Sequence, residues 1–341
     1  MYPVSVLMSV YNGESYLSEA IDSILSQSFK DFEFIIVDDG STDRTKEILD
    51  SYNDPRIVRL VHEKNKGLIP ALNYGLSQTR GRLIARQDAD DIALANRLEK
   101  QVCLFNAHPS LVLLGSAYYE IDEQGRTVQF HKHPESDTAI RWHMMFNNGF
   151  AHTSVIFRAE VVKTNRLYYS AQAMHAEDFE LWLRLLAFGQ GMNTSEPLVK
   201  HRCHRKQVSN QQSAWQRRTA NEIVKARLES LAGFSPAEKD IEALRNWLMR
   251  MPLQLNKNDL GRCMLLIRIF KAFCQSSKTL NSAEISRIRL RLFHRILKAF
   301  SFRQTAMLWH SGLLPSMIRQ DALAVLAHLT ARGISLIKSH L

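Results

Sequence analysis

The chain lacks any pairing of cysteines. Its four, Cys103, Cys203, Cys263 and Cys274, form no Cys-x-x-Cys pair within 341 residues. That excludes a disulfide framework and a cysteine zinc site. No basic segment followed by an apolar run opens the sequence, since Val4–Val10 is already strand-like, so no signal peptide is read. No apolar run approaches the roughly 20 residues that a spanning helix needs. Internal repeats and low-complexity tracts are also missing. These absences point to a cytoplasmic, reducing location. Acids are scarce in one region: from Gln211 onward there are 21 Lys and Arg but 8 Asp and Glu, whereas residues 1–210 hold 23 and 26. The net charge of +10 therefore belongs to the C-terminal third, an asymmetry that suggests an anionic partner there.

What is present begins with alternation. Strand-like runs at Val4–Val10, Phe34–Val37, Ile57–Val61, Arg82–Arg86 and Leu111–Leu114 are separated by helical patterns at Ser15–Ser26, Asp43–Tyr52, Leu68–Ser77 and Asn96–Asn106. Such βαβα alternation with fully apolar strands predicts an α/β fold, a mostly parallel, Rossmann-like central sheet with flanking helices. Residues 118–205 read as mixed, with strands at Ser154–Arg158 and Leu198–Arg202 and a helix over Glu177–Phe188. Past residue 212 only helical periodicity remains, so the expected domains are 1–210 and a helical, basic 211–341.

In open parallel sheets, ligands bind beyond the carboxyl ends of the strands. Polar residues gather at four such ends: Ser9-Val-Tyr11-Asn-Gly13, Asp38-Asp39-Gly-Ser41, Lys64-Asn-Lys-Gly67 and Arg86-Gln-Asp88-Ala-Asp90-Asp91. Three carboxylates at one strand end repel one another unless a cation sits among them. Asp-x-Asp spacing suits one hard ion, Mg²⁺ or Mn²⁺, shared with a diphosphate. A solvated loop or a cap by Asp90 or Asp91 on the next helix explains the same residues. Asp39 could accept the imide N–H of a uracil, or simply form a turn. Glu177-Asp178 could cap a helix through its dipole, or supply a general base for a sugar hydroxyl. In His201-Arg-Cys-His204, His204 could complete a metal shell and Arg202 could face phosphate. His152 reads as structural or acceptor-lining.

The C-terminal third has one marked pattern. Over Ile285–Phe300, Ile285, Ile288, Leu292 and Ile296 share a side, and Arg287, Arg291, Arg295 and Lys298 form a basic face. It reads either as an anionic-membrane surface element or as a packing helix with a solvated face. No RNA- or DNA-binding motif accompanies the charge, so nucleic acid is not an expected partner.

Together, Val4-Ser-Val-Leu-Met-Ser-Val-Tyr-Asn-Gly13, Asp38-Asp-Gly-Ser-Thr-Asp43, Ala85-Arg-Gln-Asp-Ala-Asp-Asp91 and Ala176-Glu-Asp-Phe-Glu-Leu-Trp-Leu-Arg184 stand in an order that resembles the family 2 glycosyltransferases of the GT-A fold. The resemblance covers roughly residues 2–210, and its nearest subgroup builds O-antigen, capsule and other bacterial surface polysaccharides. It implies that Ser9 and Tyr11 line the uracil pocket, that Asp39 binds the base, and that Arg86 and Asp88 contact the nucleotide. It implies Asp90 and His204 as ligands of Mg²⁺ or Mn²⁺, Asp178 as catalytic base and Glu177 as orienting the acceptor. An inverting transfer follows, of a hexose or N-acetylhexosamine from a UDP-sugar to a saccharide acceptor; the basic amphipathic C-terminus suggests that the acceptor is lipid-linked, at the inner face of the membrane. The sequence departs from the family around Leu167–His175, where many relatives carry a Gly-Tyr-Asp-Glu-like turn. Two rival readings are a nucleotidyltransferase and a non-catalytic nucleotide-sugar binder. The first would want a glycine-rich loop with a basic residue after strand one; Ser9–Ser15 has one glycine and neither Lys nor Arg. The second sits poorly with the intact Asp88, Asp90 and Asp178.

Overall fold

The computed structural model describes residues 3–204, 207, 212–249, 259–277 and 279–299. The chain divides into two compact units, Met1–Ile223 and Val224–Leu341. The first begins with β1 (Val4–Val10), α1 (Leu17–Leu25), β2 (Phe32–Asp38), α2 (Thr45–Asp50), β3 (Ile57–Val61), α3 (Leu68–Gln78) and β4 (Leu83–Asp88). β1 and β2 are buried at every position, as strands covered on both faces must be.

One nine-stranded sheet orders its strands β3-β2-β1-β4-β8-β6-β9-β5, with β7 hydrogen-bonded to β6. The pairs β3–β2, β2–β1 and β1–β4 are parallel. The chain moves outward from β1 through β2 to β3, then returns to place β4 on the other side of β1. This reversal opens a crevice at the carboxyl ends of β1 and β4, the position where open α/β sheets bind ligands. Register makes the crevice specific: Ser9 stands opposite Asp88, and Val10 opposite Asp38.

The second half of the sheet is mixed. It comprises β5 (Ile92–Ala93), α4 (Arg97–Ala107), β6 (Leu111–Ile121), β7 (Thr127–His131), α5 (Asp137–His143), β8 (Ile156–Arg158), α6 (Ala159–Asn165), α7 (Glu177–Leu185) and β9 (Gln190–Arg202). β8 runs antiparallel between β4 and β6, and β6 pairs in parallel with β9. Four strands exceed their expected lengths, β2 by running from Phe32 to Asp38. β4 continues to Asp88, so Asp88 is the last strand residue rather than part of the loop. β6 is 11 residues long and β9 is 13. Their pairing shifts register around Ser116–Tyr118, where Pro197 sits opposite Ala117, and this irregularity lets proline lie within a long strand.

α8 (Ser213–Ala232) spans the division between the units, and α9 (Glu238–Met249), α10 (Asp259–Gln275) and α11 (Ser282–Ala299) belong to the second. Ile241, Leu244 and Trp247, with Leu266, Phe270, Leu292 and Ile296, are buried there. The expected basic face on α11 is partly used in packing: Arg287 and Arg291 are exposed, but Arg295 Nη1 donates to the Leu248 carbonyl at 3.1 Å. The expected boundary at 210/211, the Lys298 side chain and Phe300 lie outside the described residues. No helix among the described residues is long and apolar enough to cross a membrane.

Candidate active site

Two loops build the β1–β2 side. Asn12 adopts a left-handed conformation, φ 52°, which asparagine tolerates better than most residues. Its Oδ1 accepts the Thr42 N–H at 2.8 Å, and its own N–H donates to Ser41 Oγ at 3.0 Å, stitching the β1 and β2 loops together. Ser9 is buried at the end of β1, while the Tyr11 ring is 49% exposed above it. Asp39 follows β2 directly. Its carboxylate is buried and accepts the Gly67 N–H at 2.7 Å and the Lys66 N–H at 3.1 Å, with His62 Nδ1 2.6 Å away. Both oxygens are engaged with the loop after β3, so Asp39 shapes that loop. Gly40, φ 73°, makes this closure feasible, because a Cβ there would strike the Lys64 backbone at 2.5 Å.

At the end of β4, each carboxylate has a cationic or imidazole neighbour. Asp88 Oδ1 accepts from Arg86 Nη2 at 2.6 Å. Burial alone would raise the Asp88 carboxyl, but the Arg86 guanidinium, with the charges of His201 and Arg97, holds it below the usual carboxylate range. Arg86 is itself enclosed, 1% exposed, and also donates to the Leu7 carbonyl and lies 3.2 Å from His152 Nε2. Of the two expected nucleotide contacts at this strand end, the Asp88 side chain is partly open to the crevice and the Arg86 guanidinium lies behind it.

Asp90 Oδ2 lies 3.0 Å from His204 Nε2, bringing together the two expected metal ligands from residues 114 apart. Asp91 is fully buried and accepts the Arg202 N–H at 2.7 Å, with His201 Nδ1 3.1 Å away. Neither Asp90 nor Asp91 caps α4, whose N-cap is Asn96. Arg202 does not face phosphate either: it is buried, donates to the Asp90 carbonyl at 3.0 Å, pairs with Glu19 and lies over the Tyr16 ring.

Beneath this strand end lies a buried polar network. Arg97 donates to Gln87 Oε1 at 2.8 Å, the Arg86 carbonyl at 2.7 Å and Gln101 Oε1 at 3.1 Å. Burial lowers its guanidinium to about 9 against the pull of Asp88 and Asp91. The carboxylates thus sit on a fixed polar floor.

The opposite wall is the start of α7. His175, φ 68°, turns the chain immediately before it, and the His175 ring contacts Trp215, which is 59% exposed. Asp178 Oδ1 accepts the Phe179 N–H at 2.7 Å and Oδ2 accepts Asn148 Nδ2 at 2.7 Å. Neither partner is a cation. Burial, together with the charge of Asp88, pushes Asp178 up to about 6; burial and Asp178 push Glu177 to about 7. Tyr169 lies between the walls, its hydroxyl 3.2 Å from His152 Nε2. Burial and the cationic Arg86 push His152 down to about 3, so it is a neutral positioning group at physiological pH.

Asp88 therefore lies close enough to Asp178 to disfavour its charge, and one crevice holds Ser9, Tyr11, Asp88, Asp90 and His204 on one wall with Glu177 and Asp178 on the other. Among the described residues no three His, Cys, Asp or Glu side chains form a complete metal cage. Asp90 and His204 fit an ion that takes few protein ligands and fills its remaining positions with diphosphate oxygens and water, as Mg²⁺ and Mn²⁺ do. Sequence reasoning missed Asn148, Tyr169 and Trp215. No local pattern marks them, because each acts through a partner distant in sequence.

Residues 5–166 match the model of Glycosyl transferase family 2. An uncharacterised glycosyltransferase of Haemophilus influenzae is 34% identical over 231 residues, covering 64% of this chain and 71% of the relative. The Escherichia coli UDP-Glc:α-D-GlcNAc-diphosphoundecaprenol β-1,3-glucosyltransferase WfgD is 32% identical over 185 residues, 54% of this chain and 70% of its own. Among solved structures, Staphylococcus aureus TarS 1–349 in complex with UDP-GlcNAc superposes with a TM-score of 0.55 at 18% identity, covering 91% of this chain and 92% of TarS 1–349. The shared architecture is the GT-A fold, and the chain belongs to glycosyl transferase family 2.

Proposed function

We propose that this glycosyltransferase transfers a hexose or N-acetylhexosamine from a UDP-sugar, with inversion, to a lipid-linked saccharide in the assembly of a bacterial surface polysaccharide. The observation that carries the reading is Asp178. It is a carboxyl raised towards neutrality, with no cationic partner, facing a strand end whose own carboxylates are compensated. A general base is most useful when its pKa lies near the working pH. The donor and acceptor classes are supported by the names of the Escherichia coli relative and the UDP-GlcNAc-bound neighbour.

In this mechanism, Ser9, Tyr11 and the loop held by Asp39 wall the uridine, and Asp88 meets the nucleotide beside them. Asp90 and His204 would hold Mg²⁺ or Mn²⁺, which supplies positive charge to the departing diphosphate. The acceptor hydroxyl attacks the anomeric carbon while its proton passes to an oxygen of Asp178. The bond from the anomeric carbon to the diphosphate oxygen breaks, and its electron pair leaves with UDP. In-line attack converts an α-linked donor into a β-linked product. Glu177 flanks the base on the acceptor side, where Trp215 and Tyr168 offer exposed aromatic surface. Action at the inner membrane face follows from the acceptor class.

The test is UDP release from a panel of UDP-sugars, with and without Mn²⁺. Metal-stimulated hydrolysis of one donor supports the proposal. No turnover and no UDP binding by calorimetry would overturn the UDP-sugar reading.

A further inference from the structure

The second unit carries a cleft that the transfer site does not use. It has a volume of about 880 Å³ and lies between α9, the residues preceding α9, and one face of α10. That size is typical of small-molecule sites. The floor is apolar, formed by Phe234, Pro236 and Leu265, and the Met264 side chain is 43% exposed at its edge. The rim is cationic. Met264, Arg268 and Lys271 recur at helical spacing on the exposed face of α10, while Leu266, Ile267, Phe270 and Phe273 are buried.

The charges are unbalanced. Among the described residues lining the cleft, Asp240 is the single acid, and Arg262 Nε already donates to it at 3.1 Å. Arg268 lies over the Phe234 ring with its guanidinium carbon 3.9 Å from the centroid, which fixes the cation at the boundary between floor and rim. Lys239 and Lys271 are exposed on the lining.

We propose that this cleft binds the phosphate head group of an anionic membrane phospholipid, with the upper acyl chain against Phe234, Leu265 and Met264. Apolar floor and cationic rim together match an amphiphile; a cationic rim alone would suit any polyanion. The assignment does not rest on the sugar-transfer reading, because lipid binding is measured without turnover. It also shifts the membrane contact from the α11 face to α10, since Arg295 of α11 is turned into the packing.

The experiment uses the full chain and vesicles of phosphatidylglycerol mixed into phosphatidylcholine, beside pure phosphatidylcholine. Wild type should sediment with the anionic vesicles only. Each basic residue near an anionic surface contributes on the order of fivefold in affinity, so the double charge reversal Arg268→Glu/Lys271→Glu should lower vesicle affinity at least about tenfold. Met264→Asp, which leaves the cations in place, should also lower it. Arg287→Glu/Arg291→Glu on α11 should change it by less than about threefold. Circular dichroism checks that each variant keeps its helices, and Met264→Asp decides the matter if the double variant unfolds. Failure of wild type to bind anionic vesicles, or an equal or larger loss on the α11 face, overturns the proposal. So does calorimetric binding of inorganic phosphate without vesicle binding, which would assign the cleft to a soluble phosphate.

Discussion

The end of β4 and the start of α7 both carry adjacent carboxylates, and the protein treats them oppositely. At β4, Asp88 is paired with Arg86, Asp90 with His204, and Asp91 with His201 and the Arg202 N–H. At α7, Glu177 and Asp178 have backbone N–H groups and the Asn148 amide but no cation bonded to them, and the more distant Arg86 charge does not outweigh burial at Glu177. Arg86 accordingly holds Asp88 low against its burial, while burial raises Glu177 and Asp178. Asp88 thus stays charged, whereas burial raises Asp91 behind it as it raises Glu177 and Asp178, the pair poised to accept a proton. The difference lies in the partners, not in the acids.

The most severe way to break the contrast is Asp178→Asn, which keeps the shape and removes the base. kcat should fall about 10²–10⁴-fold. UDP affinity by calorimetry should stay near wild type, because Asp178 lies on the wall opposite the nucleotide. A parallel collapse of UDP binding would contradict a base role. Next in size is Arg86→Leu, which leaves Asp88 without its guanidinium. Stability should drop by about 3 kcal/mol in urea unfolding, the low end for a broken ion pair because Asp88 is partly open to water. The Asp88 carboxyl should rise at the same time. Asp90→Asn tests the charged side directly: Mn²⁺ stimulation of UDP-sugar hydrolysis should fall about tenfold or more, with folding intact by circular dichroism. Unchanged metal stimulation would remove Asp90 from the metal site.

The finest test sharpens the α7 side. Asp178 must be ionised to act, so wild-type kcat should decline as pH falls through about 6 and hold above it. The Asn148 amide favours the charged form, so Asn148→Ala should move that acidic limb upward by about one pH unit. At pH 8, kcat should change little. An unmoved limb would make Asn148 a packing residue only.

Legibility tracks how each feature is stabilised. β1, β2 and β4 were readable because a strand buried on both faces needs a mostly apolar run, Leu83-Ile-Ala85 in β4, and that constraint is local. β5, two residues long, was unreadable because it exists only through pairing Ile92 with Lys200 and Ala93 with Val199, far along the chain. Asp90 and Asp178 were visible as motifs. Arg97 read as one more charge on a helix, yet it anchors the floor of the site through Gln87 and Gln101. Arg202 looked like a ligand contact because charged residues near strand ends usually face solvent; here Glu19 and the Asp90 carbonyl claim it instead. Asn148 lies 30 residues from the carboxylate it holds, with nothing between to signal the contact.

By itself the sequence determined the alternation of strands and helices, the carboxylates at strand ends, the family and the basic third, because hydrophobic period, motif order and charge are written locally. Only the tertiary structure decided which acids are compensated, which arginines turn inward, and which helix face of the second unit is left cationic beside an apolar floor. Those outcomes depend on what burial places within a few ångströms, and burial is a property of the folded chain as a whole.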